Sequence, residues 1–133
     1  DWEVSPTGAL AVVLLLDQFP RNLFRGDRRA FATDATAVLA AERAIERDFD
    51  AAVEPDLRRF FYLPFMHAED LAAQDRCVAL HEAHVPDPDG LKFARHHRDI
   101  IARFGRFPHR NAVLGRETTP EEAAFLEVDS FRG

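Results

Sequence analysis

One cysteine, Cys77, in 133 residues excludes an intramolecular disulfide and points to a reducing compartment, with the cytoplasm as the expected location. Long apolar runs are also missing. The longest covers residues 9–16, eight residues against the ~20 of a membrane-spanning helix, so no membrane partner is expected. No stretch alternates apolar and polar residues with period two, which removes the strand signal and leaves an all-α reading. There is no Gly-rich phosphate loop, no Gly-x-Ser-x-Gly elbow and no paired-histidine spacing such as His-Glu-x-x-His. The expected metal and cofactor complement is therefore none. Positive charge is not in excess either: the formal net charge is -6, which argues against nucleic acid as a partner. Lysine occurs once, at Lys92, against 16 arginines. Such a bias serves bidentate pairing with carboxylates, or reflects a genome that favours Arg and Ala. The opening residue is Asp1 rather than Met, as in a piece of a longer protein, and no signal or transit sequence is present.

What is present suits one all-α domain over residues 1–133. A 47% hydrophobic chain of this length buries roughly two thirds of its unfolded surface. Ser5-Pro6 is a cap followed by proline at the first helical position, predicting a helix over 6–18 that is apolar on every side and surrounded by neighbours. Asp17 falls in its last turn, against the negative helix end, and Arg21 is the nearest group to offset it. Residues 22–26 read as a turn. Asp27 caps a second helix over 27–47, whose inward stripe is Phe31, Ala35, Val38, Glu42, Ile45 and Phe49, widened by Ala32 and Leu39, with Arg28, Asp34, Arg43 and Glu46 as solvated surface. Pro64 must kink or end the aromatic segment 57–67. Asp70 caps a helix to about 84, with Cys77 facing inward. Residues 85–90 are a linker, and Phe93, His97, Ile100, Ile101 and Phe104 form one face of a helix from 91 that Gly105 ends. Thr119-Pro120-Glu121-Glu122 starts a last helix to about 128. These elements predict antiparallel helix pairs.

The polar residues cluster at helix ends. Asp17-Gln18-Phe19-Pro20-Arg21-Asn22 and Arg103-Phe104-Gly105-Arg106-Phe107-Pro108-His109-Arg110-Asn111 are alike. Each follows an apolar segment, uses Phe-Pro to stop a helix, and holds Arg and Asn beside it. Asn22 and Asn111 suit caps of short following helices. Capping leaves Arg21, Arg106 and Arg110 unexplained, and their guanidinium forks fit a carboxylate or phosphate. His67 lies beside Glu69 and Asp70, where packing and capping outweigh metal binding. A buried His97 needs a partner, and Asp17 and Glu69 are the first acids to consider.

Leu16 to Asn22 with Phe24-Arg25-Gly26 and Ala30-Phe31-Ala32-Thr33-Asp34, then Tyr62-Leu63-Pro64-Phe65-Met66-His67-Ala68-Glu69-Asp70, then Arg103 to Asn111, closely resemble a bacterial family of uncharacterised proteins known as domain of unknown function 924. The resemblance implies a tetratricopeptide-like right-handed helical array and no established activity. The family commonly has Ser where this chain has Ala68, and an additional N-terminal segment before the first motif.

Three functions follow as expectations. The first is a binding module whose pocket gathers Asp17, Gln18, Arg21, Asn22, His67 and Glu69 with His97, Arg106, His109, Arg110 and Asn111 around a small anionic molecule or peptide. The second is an enzyme in which His67 or His97, oriented by Asp17 or Glu69, acts as acid and base while an arginine stabilises an anion. The third is a buried polar network that holds the helices in register. Neither the ligand nor the oligomeric state is legible.

Overall fold

Ser5 starts the first helix as its sequence suggests: the hydroxyl accepts the Gly8 amide at 3.1 Å and Pro6 follows directly. The computed structural model describes residues 1–129, so the last four residues of the expected domain lie outside it. Helix α1 spans Pro6–Leu16 and α2 spans Gln18–Leu23, with Asp17 between them. A 3-10 turn at Arg28–Phe31 precedes α3, Asp34–Glu46. Two short helices follow, α4 at Pro55–Arg58 and α5 at Leu63–His67. Helix α6 covers Leu71–His84 and α7 covers Pro88–Phe104. A 3-10 turn at Pro108–Arg110 leads into α8, Asn111–Leu114, and α9 closes the described chain at Pro120–Val128. The fold is all-α.

Two antiparallel pairs frame the core. Thr33 at the start of α3 donates to the Leu16 carbonyl at the end of α1, while Arg43 near the end of α3 reaches Glu3 ahead of α1. Asp75 and Glu82 of α6 likewise meet Arg98 and Arg95 of α7 in reversed order. Helix α5 lies between the pairs and packs on α3, α6 and α7. Phe61, Tyr62 and Phe65 fill the space around it, each at most 1% exposed. Burial of such side chains contributes about 1.5–3 kcal/mol apiece. A smaller cluster of Ile100, Ile101 and Phe107, flanked by Phe104 and Phe125, joins α7 to α9.

Several local expectations change. Neither Phe-Pro phrase acts as the expected stop. Phe19-Pro20 lies inside α2, because α1 has already ended where Asp17 turns to φ -107 and ψ -63, and Pro tolerates the first turn of the new helix. Gly105, at φ 73, ends α7 ahead of Phe107-Pro108. Pro64 meets its expectation: the aromatic segment is interrupted there, with a 3-10 turn at Arg59–Phe61 before α5 starts afresh at Leu63 and Pro64 in its first turn. Asp27 caps the 3-10 turn, not α3. The buried face of α3 is Ala37, Ala40, Ala41 and Ala44, since small side chains permit close approach to α1; Leu39 remains 60% exposed. Helix α1 is not enclosed on all sides, for Leu15 is exposed and only Ala9, Leu10 and Val13 are fully buried. Phe93 is also exposed. No helix among the described residues is long and apolar enough to cross a membrane.

Candidate functional site

The break between α1 and α2 creates the site. Asp17, 1% exposed, accepts hydrogen bonds from His67 Nδ1 at 2.8 Å, Arg21 Nη1 at 3.1 Å and Gln18 Nε2 at 2.9 Å. Burial pushes its carboxyl up, but the charge and hydrogen bond of His67, with help from Arg21 and Gln18, outweigh that and hold it below the usual range. Arg21 also donates to the Asp17 carbonyl and forks onto Asp34 at 2.7 and 2.9 Å. Asp34 is the first residue of α3, where the positive helix end favours a carboxylate. The expected solvated position is thus an ion-paired one.

Arg110 completes this wall. Its guanidinium lies between the rings of Phe31 and Phe107, at 4.4 and 4.6 Å from their centroids. Nη2 donates to the His67 carbonyl at 2.9 Å, and Nη1 is 3.8 Å from Asp34. Its Nε is buried without a hydrogen-bond partner among the described residues. Burial, reinforced by Arg21, pulls its pKa down to about 10, so the group remains cationic at neutral pH.

These groups border a groove of about 1650 Å³. Of the residues expected at one pocket, Gln18, Arg21, Asn22, His67, His97, His109 and Arg110 line it, with Asp17 directly behind His67. Phe31, Leu63, Met66 and Phe93 add apolar surface. His97 does not meet Asp17 or Glu69. Its Nδ1 donates instead to the Phe93 carbonyl one turn back, at 2.7 Å, and burial drives its pKa down to about 3. Asn22 is exposed within α2 and caps no following helix.

The other three expected residues build a separate network, so the single polar pocket divides in two. Glu69 accepts the fork of Arg116 at 2.8 and 3.0 Å and the Phe107 amide at 2.6 Å. Burial raises its carboxyl, yet Arg116 and the Phe107 amide prevail and the net direction is downward. Buried Asn111, which starts α8 rather than capping it, accepts from Arg116 Nε and donates toward Glu122 and Thr118. Arg106 forks onto Glu122 at 2.9 and 2.8 Å and reaches the Glu117 carbonyl. The hydrogen bond from Arg106 is the main reason the Glu122 pKa falls to about 2. Glu122 also closes the capping box with Thr119, so this network fastens α9 to the rest of the fold.

Phe31, Asp34, Gln74 and Arg116 complete these arrangements without having been expected at the pocket. Gln74 donates to the Met66 and Ala68 carbonyls, and with Arg110 on His67 it satisfies the end of α5. Among the described residues, no three His, Cys, Asp or Glu side chains are grouped to hold a metal ion.

Comparison with known proteins follows the same architecture. The family model for "Bacterial protein of unknown function (DUF924)" matches residues 1–129. A solved structure, that of the protein of unknown function ATU0120 from Agrobacterium tumefaciens, is 54% identical and superposes with a TM-score of 0.92, covering 96% of this chain and 72% of that one. No curated protein matches the chain.

Proposed function

The chain belongs to the DUF924 family of bacterial proteins of unknown function, and on that premise we propose that its groove binds a small anionic molecule or peptide through Arg110. One observation carries this reading: a buried cation on the groove wall makes a single short hydrogen bond among the described residues although a guanidinium has five N–H donors. Burying a charge with donors unused is costly, and an anion in the groove relieves that cost. Arg21 differs. Its four hydrogen bonds to Asp17 and Asp34 make it a support for the wall. Phe31 and Phe107 hold the Arg110 fork in place, which limits the entropy lost when a ligand arrives. The lone Cys77 supports a cytoplasmic setting for this activity.

A thermal-shift screen of anionic metabolites on the wild type, Arg21→Ala and Arg110→Ala tests the reading. A ligand present at 100 times its Kd stabilises the fold by about 2.7 kcal/mol. The effect is expected to vanish in Arg110→Ala and in Arg110→Lys, the latter keeping the charge but not the fork. A full response in Arg110→Lys and Arg110→Ala rejects Arg110 as the contact. A second reading, a structural network, draws support from the way Arg110 and Gln74 satisfy the end of α5. Large folding coupling between Asp17 and Arg21 in a double-mutant cycle, with no ligand response from any variant, favours that alternative.

A further inference from the structure

The geometry points to His67 as an acid–base catalyst in the groove, positioned by Asp17 and acting on an ester-type bond of a substrate whose anionic group sits on Arg110. This rests on the anion-binding reading above. Three histidines on the groove wall have an assigned Nδ1 contact. For His81 and His97 the acceptor is a backbone carbonyl one turn back in the same helix, Cys77 and Phe93 respectively. His67 differs in kind, because its Nδ1 lies 2.8 Å from a carboxylate that is itself sealed from solvent. An ionised Asp17 accepts the Nδ1 proton, which leaves the lone pair of the neutral ring on Nε2. No hydrogen bond to another described residue occupies Nε2, that atom is not among the sealed unpartnered ones, and His67 is one of the residues that line the groove.

Anion contact and imidazole are tied together by the chain itself. Arg110 Nη2 donates to the backbone carbonyl of His67, so a substrate on the guanidinium lies beside the same residue that supplies Nε2. Asp17 bonds His67 directly and links it to Arg21 and, through Arg21, to Asp34 of α3; Arg110 holds its carbonyl, His97 of α7 lies within electrostatic reach, and Arg59, His81 and His109 line the same groove. Asp17 offsets the imidazolium that forms when Nε2 takes a proton.

Hydrolysis is the simplest reaction that needs only these groups and water. Nε2 accepts a proton from water as the water oxygen forms a bond to the carbonyl carbon and the carbonyl π pair moves onto the carbonyl oxygen. That pair then re-forms the carbonyl as the carbon–oxygen bond to the leaving group breaks, and the imidazolium returns the proton to the leaving oxygen. Asp17 stays ionised throughout and is a positioning residue.

Release of nitrophenolate in excess of the protein-free rate, from 4-nitrophenyl hydrogen succinate, an activated ester bearing a carboxylate, tests the proposal on the whole chain. His67→Asn is the informative variant, since its amide can still donate to Asp17 while Nε2 is gone; an unchanged thermal midpoint checks that the fold survives. The rate is expected to fall roughly tenfold or more. Asp17→Asn, assayed well below its melting temperature, is expected to move the pH–rate profile to lower pH, which a purely structural role does not do. Equal release by the wild type and His67→Asn, at any level, overturns the proposal. An unchanged KM for Arg110→Lys with the His67 dependence intact sinks the anion site but leaves proton transfer standing. Succinate stabilisation that depends on Arg110, without any His67 effect on rate, leaves binding alone.

Discussion

Replacing Asp17 with asparagine keeps the size of the side chain and removes the charge that His67, Arg21 and Gln18 converge on. Gln18 can adapt by turning its amide, so the loss falls on the Arg21 guanidinium and the His67 Nδ1–H. Removing one member of a buried ion pair costs about 3–5 kcal/mol when the other is stranded. Arg21 is not stranded, because its fork onto Asp34 remains. The expected destabilisation is therefore about 2–3 kcal/mol. For 133 residues the unfolding entropy is about 0.28 kcal/mol/K, which converts this to a fall in melting temperature of about 7–11 °C. The pH dependence follows from the lowered folded-state pKa. Asp17 contributes stability that is fully present above the unfolded value of about 3.9 and is lost as pH falls through the folded value. The gap between wild type and Asp17→Asn should thus be full at neutral pH and narrow in acid. Thermal melts followed by circular dichroism at neutral and acid pH measure it, with Glu82→Gln, in an exposed pair with Arg95, as a control of little effect. A midpoint for Asp17→Asn equal to that of the control at neutral pH refutes the reasoning.

Other groups give independent checks. His97, whose pKa burial drives down to about 3, should show no imidazole titration by NMR between pH 5 and 8. Because the unfolded chain takes up this proton near pH 6.5, the stability His97 contributes is present above that pH and is lost as pH falls from there toward 3. Cys77 is fully buried and its thiol is pushed up to about 12 by desolvation, so native protein at pH 8 should leave a thiol reagent unconsumed until urea unfolds it. Tyr62→Phe deprives buried Asp50 of its hydroxyl donor and leaves Arg58 at 3.7 Å, costing about 1–3 kcal/mol in urea denaturation.

Much of the fold was legible because its signals are local. Ser5-Pro6, Asp70, Gly105 and Thr119-Pro120 act through the few residues next to them, and each marks a helix end where expected. Asp17 with Arg21 is also local, one helical turn apart. What escaped depends on distance in sequence. Nothing near Asp34 announces Arg21 or Arg110 as partners, and nothing near Gly115 marks Arg116 as the side chain that claims Glu69. The inward face of α3 was legible in part: Val38, Ile45 and Phe49 pack against the core as expected, whereas close packing on α1 buries Ala37, Ala40, Ala41 and Ala44 most deeply and leaves Leu39 exposed. The similarity between the two Phe-Pro phrases led to one pocket in place of two networks. Residues of like type near helix ends were drawn to different carboxylates, Arg106 to Glu122 and Arg21 to Asp34.

The central claim, that the open Nη donors of Arg110 receive an anion, is tested most directly by its Nε–H resonance, a reporter on the adjoining Nη groups, in a nitrogen-15 NMR titration with succinate. The account predicts a saturable downfield shift and slower exchange with water for Arg110 Nε–H, with the Arg21 signal little changed. An Arg110 Nε–H signal that stays in place and exchanges at the same rate across the whole titration contradicts it.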